Sequence, residues 1–144
     1  MISVGIDVSK RKSTAAILNV QGEVICSPFE FSHTKSGFED LLSHVKGYPR
    51  DEVKFMMEAT GIYHLALLEF LKSKGYFVHV ANPLLIKKFF DAELRKGKTN
   101  RKDALKLSLY GTEKWFKLDD FLNLNYIIRA HSASQNTNSI KGFT

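Results

Sequence analysis

Three acidic residues occupy positions from which carboxylates can act together. Asp7 closes a β-prone apolar run in Gly5-Ile6-Asp7-Val8-Ser9-Lys10, and Glu58 closes another in Met56-Met57-Glu58-Ala59-Thr60-Gly61. Asp103 opens a helical stretch much later in the chain. If the strands ending in Asp7 and Glu58 are parallel neighbours, both carboxylates emerge at one sheet edge, where open α/β folds place their sites. Carboxylates held a few ångströms apart repel, so full ionisation at neutral pH calls for a cation, and Mg²⁺ (or Mn²⁺) suits an all-oxygen ligand set. The plainer alternatives stay open at this point: Asp7 capping a turn, Glu58 ending a strand in solvent, Asp103 capping a helix.

The elements that would position these residues follow from periodicity and punctuation. Residues 2–6, 14–18 and 23–31 read as three consecutive strands joined by turns. Ser36 with Glu39 makes a capping box, and Phe38, Leu41, Leu42 and Val45 line one helical face until Gly47 and Pro49. Residues 53–57 form a fourth strand. Thr60 is the expected N-cap of a helix lined by Leu65, Leu68 and Leu71 and ended by Gly75. Residues 76–80 form a fifth strand, and Asn82-Pro83 starts a short helix over 84–90. Residues 91–102 read as a charged, Gly-broken basic loop ahead of a helix from about Asp103 to Trp115. Three strands followed by alternating helices and strands is an α/β order with a mixed five-stranded sheet and flanking helices.

Composition narrows the classes. The 144 residues, 44% apolar, suffice for one core. Twenty-one Lys and Arg against fifteen Asp and Glu give a net charge of +6, which favours a polyanionic partner such as nucleic acid. The single cysteine, Cys26, sits in a strand and reads as a structural thiol, so a disulfide framework within the chain is excluded and a cytoplasmic setting fits. Apolar runs fall short of the roughly 20 residues a membrane span needs. From residue 119 to residue 144 the chain is a polar tail, expected to be partly disordered or truncated, while residues 1–118 form the domain.

Four blocks, taken together, resemble one family. They are Gly5-Ile6-Asp7-Val8-Ser9-Lys10, Met57-Glu58-Ala59-Thr60-Gly61-Ile62-Tyr63-His64, Val80-Ala81-Asn82-Pro83, and Lys96-Gly97-Lys98-Thr99-Asn100-Arg101-Lys102-Asp103-Ala104. Their order and spacing over about the first 115 residues are similar to those of the DEDD-type insertion-sequence transposases, bridge-RNA-guided recombinases with a RuvC-like N-terminal domain. The resemblance implies a ribonuclease-H-like (RuvC-like) fold and DNA transposition with four acidic metal ligands. It also implies a serine on a separate C-terminal domain, DNA and a structured guide RNA as partners, and a homo-oligomer in the full-length family. Carried over by position, Asp7, Glu58 and Asp103 match three of the acids. Asn100 stands where the family has the third of its four acids, keeping a ligating oxygen without the charge, which weakens attraction for Mg²⁺. Ser132, Ser134 and Ser139 match no family motif. The resemblance ends near Asn123, so the chain reads as the truncated, impaired N-terminal part of such a recombinase.

Around the acids, Lys10, Arg11 and Lys12 and the cluster Arg95, Lys96, Lys98, Arg101 and Lys102 form a candidate basic rim for phosphates. His64 is placed to approach a metal or phosphate, or to bond backbone at a helix start. Tyr63 reads as a core or groove aromatic, and Trp115 with Phe116 as core. Three other functions compete. A remnant that only grips nucleic acid would neither bind metal nor respond to Asn100→Asp; a sugar-kinase-type phosphotransferase would need a second phosphate loop and a second domain; a stand-alone junction resolvase would keep all its acids.

Overall fold

The computed structural model describes residues 1–59, 61–97 and 102–121. Strand β1 (Ile2–Asp7) pairs antiparallel with β2 (Lys12–Asn19), and β2 pairs antiparallel with β3 (Val24–Ser32). Helix α1 (Lys35–Ser43) then carries the chain across the sheet to β4 (Val53–Glu58), which lies parallel to β1. Helix α2 (Leu65–Ser73) leads to β5 (Phe77–Ala81), parallel to β4, and helices α3 (Pro83–Arg95) and α4 (Asp103–Glu113) follow. The spatial order β3-β2-β1-β4-β5 makes a mixed sheet whose centre is β1, the strand that ends in Asp7.

Alternation along the strands splits the core in two. Ile2, Val4 and Ile6 point to one face with Ile17, Val53, Phe55, Met57 and Val78, and pack against Phe38 and Leu41 of α1 and Leu67, Leu68 and Leu71 of α2. Each such side chain, fully buried, contributes about 1.5–3 kcal/mol. The opposite face carries Ser3, Gly5 and Asp7 of β1, and α4 lies directly on it. A Cβ at Gly5 would overlap the Ala104 carbonyl oxygen and the Ser108 amide nitrogen, and one at Gly111 would overlap the Ser3 hydroxyl. Small residues thus let the helix meet the strand backbone to backbone. Ser108, fully buried, locks that contact: its hydroxyl donates to the Ser3 carbonyl at 2.6 Å and accepts from the Leu18 amide at 3.0 Å. Ser3 and Leu18 are partners in the β1–β2 register, so one hydroxyl of α4 bridges the two strands.

Several sequence expectations are corrected by tertiary contacts. Thr34, not Ser36, caps α1; its extended backbone lets the hydroxyl accept from the Gly37 amide at 3.0 Å, which places Ser36 inside the helix. Residue 60 lies outside the described residues, and the N-cap position of α2 is His64. In α2 the inner face is Leu67, Leu68 and Leu71, while Leu65 is 47% exposed. Residues 91–95 are not loop but the last turns of α3, because Ala92, Glu93, Leu94 and Arg95 are good helix formers whose charge does not break a helix. Phe116 is 86% exposed, whereas Trp115 is buried in a short 3-10 turn, Trp115–Lys117. Beyond it the chain straps the β5 edge: Asp120 accepts from Lys72 at 2.6 Å and from the Val78 amide at 2.9 Å, and the Phe121 amide donates to Val78 at 2.7 Å. Cys26 is half-buried beside the first core cluster. No helix among the described residues is long and apolar enough to cross a membrane.

Candidate functional site

One row of residues crosses the whole sheet on the α4 face. Ala81 pairs with Glu58, Asp7 pairs with Thr14, and Thr14 pairs with Glu30. Ile6 pairs with Met57, so Asp7 and Glu58 are the next positions outward on parallel neighbours. Both carboxylates therefore leave the carboxyl ends of adjacent strands on the same side. Asp103 arrives from above, as the first residue of α4, and the clamp of Ser108 and Gly5 sets how close that helix end comes.

Two of the three carboxylates are shifted by their surroundings. Burial and then the Asp103 charge push the Asp7 carboxyl up from its ordinary value. Burial, then Asp103, then Asp7 push Glu58 up. Like charges sharing a partly desolvated site have this signature, and it marks functional sites more often than bare surfaces. The oxygens are nonetheless spread: among the described residues no three His, Cys, Asp or Glu side chains are gathered closely enough to hold an ion as they stand. Asp103 leans instead toward Lys106, 3.7 Å away on the same helix. The donor set itself, three carboxylates whose mutual repulsion a cation would relieve, fits a hard divalent ion.

Asp103 stands between two clefts. The larger, about 560 Å³, runs over β1, β2 and β3 and is lined by Asp7, Thr14, Pro28, Glu30, Lys102 and Asp103. The smaller, about 240 Å³, lies between α3 and α4, with Glu58, Asp91 and Lys106 around a floor of Ile86, Phe90 and Leu107. Of the basic rim, Lys102 lines the larger cleft beside the acids. Lys10 and Arg11 are exposed in the β1–β2 turn directly after Asp7, and Lys12 is exposed as the first residue of β2. Arg95 ends α3, and Lys96 reaches back to the buried Glu93 at 3.8 Å. Asn100, Lys98 and Arg101 lie outside the described residues, as do Ser132, Ser134 and Ser139. His64 is buried, and among the described residues it makes no side-chain cap bond and its Nδ1 has no hydrogen-bond partner. Tyr63 is exposed. Sequence reading missed Ser108, Gly5 and Glu30. The signal for the first two was present as the run of small residues Ala104, Ser108 and Gly111 on one side of α4.

A mixed five-stranded sheet of this order, with carboxylates at the ends of the central strands and on the last helix, defines a ribonuclease-H-like domain. The fold matches RuvC of T. thermophilus, solved in complex with a Holliday junction substrate, with a TM-score of 0.60 at 13% identity, covering 84% of this chain and 99% of that one. The chain belongs to the IS110-type DEDD transposase family, whose profile, described as a transposase, matches residues 4–119. Pilin gene-inverting proteins of Moraxella lacunata and Moraxella bovis are each 26% identical to it over 113 residues, 77% of this chain. The chain spans about a third of the length of these relatives, 34% in each case.

Proposed function

We propose that this chain is the metal-binding, DNA-handling catalytic domain of a transposase. The observation that carries the reading is the convergence of Asp7, Glu58 and Asp103, from three elements remote in sequence, onto one face where burial and then the Asp103 charge raise the proton affinity of Asp7 and Glu58. Asp7, Glu58 and Asp103, with Asn100 as a neutral fourth ligand, would hold Mg²⁺ or Mn²⁺, which when bound polarises a phosphodiester and stabilises a leaving oxygen. The chain's own residues supply the rest. Lys102 at the cleft and Lys10, Arg11 and Lys12 beyond Asp7 neutralise backbone phosphates, with Arg95, Lys96, Lys98 and Arg101 extending that rim, and Ser108 keeps Asp103 in place above Asp7. Strand exchange also needs a nucleophile, a role that none of these residues fills. A structured guide RNA and assembly into a homo-oligomer, like a domain limit near residue 118, belong to the same reading.

Titration calorimetry with Mn²⁺ tests it. Weak binding is expected, abolished by Asp7→Asn and tightened at least about tenfold by Asn100→Asp, the scale of change seen even for outer-shell groups. Equal heats for all three proteins would remove the metal from the reading. A second reading, a remnant that grips DNA without chemistry, is favoured by the open spacing of the three carboxylates and by the Asp103–Lys106 pair. Salt-dependent DNA binding that ignores Mn²⁺ and ignores Asp7→Asn would select it.

A further inference from the structure

Glu30 has no part in the metal centre, yet it lies in the row that contains it. Through Thr14 it is in register with Asp7, so the three side chains leave the same face, and Glu30 stands two strand spacings, about 10 Å, from Asp7. The larger cleft joins the two ends: Asp7, Asp103 and Lys102 at one, Thr14 and Pro28 between, Glu30 at the other. Its volume, about 560 Å³, lies within the range of small-ligand sites and is far more than an ion needs. Glu30 is exposed, and no hydrogen bond or ion pair engages its carboxylate among the described residues.

These facts constrain the occupant. An ionised carboxylate accepts hydrogen bonds and donates none, so it repels a phosphate and welcomes an amino group. The end with Lys102 suits the phosphate once the cation proposed for Asp7 and Asp103 offsets their charge, and the far end, which has no such ligand set, suits a donor attached to the same ligand. A nucleotide has that polarity. Its phosphate is anionic, its base presents a flat face that the Pro28 ring can meet, and cytosine offers an exocyclic amino group that Glu or Asp accepts from. Thymine presents a carbonyl oxygen and a methyl at the same position and leaves Glu30 facing an acceptor.

We infer that Glu30 is a specificity residue that reads the amino edge of a DNA base seated in this cleft, next to a phosphate neutralised at Lys102. The inference rests on the DNA-handling reading above and adds base preference to it. Fluorescence anisotropy with labelled homopolymers about twelve nucleotides long, in the presence of Mg²⁺, provides the test on the whole chain. Oligo(dC) is expected to bind about tenfold more tightly than oligo(dT), the size of one good base contact. Glu30→Gln, isosteric and on an exposed edge strand, is expected to cut that ratio to about twofold or less, because an amide offers both a donor and an acceptor. Glu30→Ala should do the same, with oligo(dT) affinity kept or raised. Equal wild-type affinity for the two homopolymers, or a preference that survives both substitutions, overturns the inference and leaves DNA handling intact. Absence of binding to either homopolymer and to duplex DNA overturns both.

Discussion

The two faces of this sheet are built on opposite plans. On the side of α1 and α2, Phe55, Met57, Leu41, Leu67, Leu68 and Leu71 interlock as large side chains and keep the helices away from the strand backbone. On the side of α4, Ser3, Gly5, Ala104, Ser108 and Gly111 bring helix and strand into direct contact, and hydrogen bonds replace bulk. The first plan supplies stability through area removed from water. The second supplies position, because a helix seated on backbone cannot slide as one seated on flexible side chains can. The carboxylates lie only on the second face, where Asp103 must meet Asp7 and Glu58.

Substitutions on each face should separate the two roles. Phe55→Ala on the apolar face is expected to cost about 3–5 kcal/mol in urea unfolding, with Mn²⁺ affinity of the folded fraction unchanged. Gly5→Ala adds a single methyl and is expected to cost about 3 kcal/mol, because the methyl meets helix backbone that cannot turn aside. Unlike Phe55→Ala it should also abolish Mn²⁺ binding, since it lifts the Asp103 end of α4; retained binding would break the contrast between the faces. Ser108→Ala strands the Leu18 amide and the Ser3 carbonyl and should cost about 2 kcal/mol, with weaker Mn²⁺ binding that Ser108→Thr partly restores.

The smallest effect has the opposite sign. Because the folded state raises the Asp7 pKa above its ordinary 3.8, the folded protein holds that proton more tightly than the unfolded chain does. The associated stability is present below pH 3.8 and is lost as pH rises through the raised value, so ionised Asp7 opposes folding at neutral pH. Asp7→Asn is therefore expected to stabilise the metal-free protein at pH 7, by no more than about 0.5 kcal/mol at so open a position, while abolishing Mn²⁺ binding. Thermal melts at pH 3 and pH 7 check the sign: the variant should gain only at the higher pH.

Much of the architecture is legible along the chain because it depends on local pattern. Alternation over residues 2–6 and 53–57 marks β1 and β4, the Asn82-Pro83 start marks α3, and an acid at the end of an apolar run marks Asp7 and Glu58. Charge density misled where helix propensity prevailed, as at 91–95, and adjacency misled where two aromatics take opposite sides, as at Trp115 and Phe116. Glu30 was invisible for a different reason. Its place beside Asp7 comes from two successive strand registers, and a shift of one residue in either would turn it to the other face.

The amino-acid sequence by itself determined the order of elements, the apolar face of each, and the presence of carboxylates at their ends, since periodicity, capping and turn chemistry act over a few residues. Only the tertiary structure decided which carboxylates meet. That outcome depends on the crossing of α4 over β1 at Gly5, on the bonds of Ser108 to Ser3 and Leu18 about ninety or more positions away, and on the pairing of β2 with β3. Contacts of that kind are set by the shape of two surfaces brought together, and no local stretch of chain contains both.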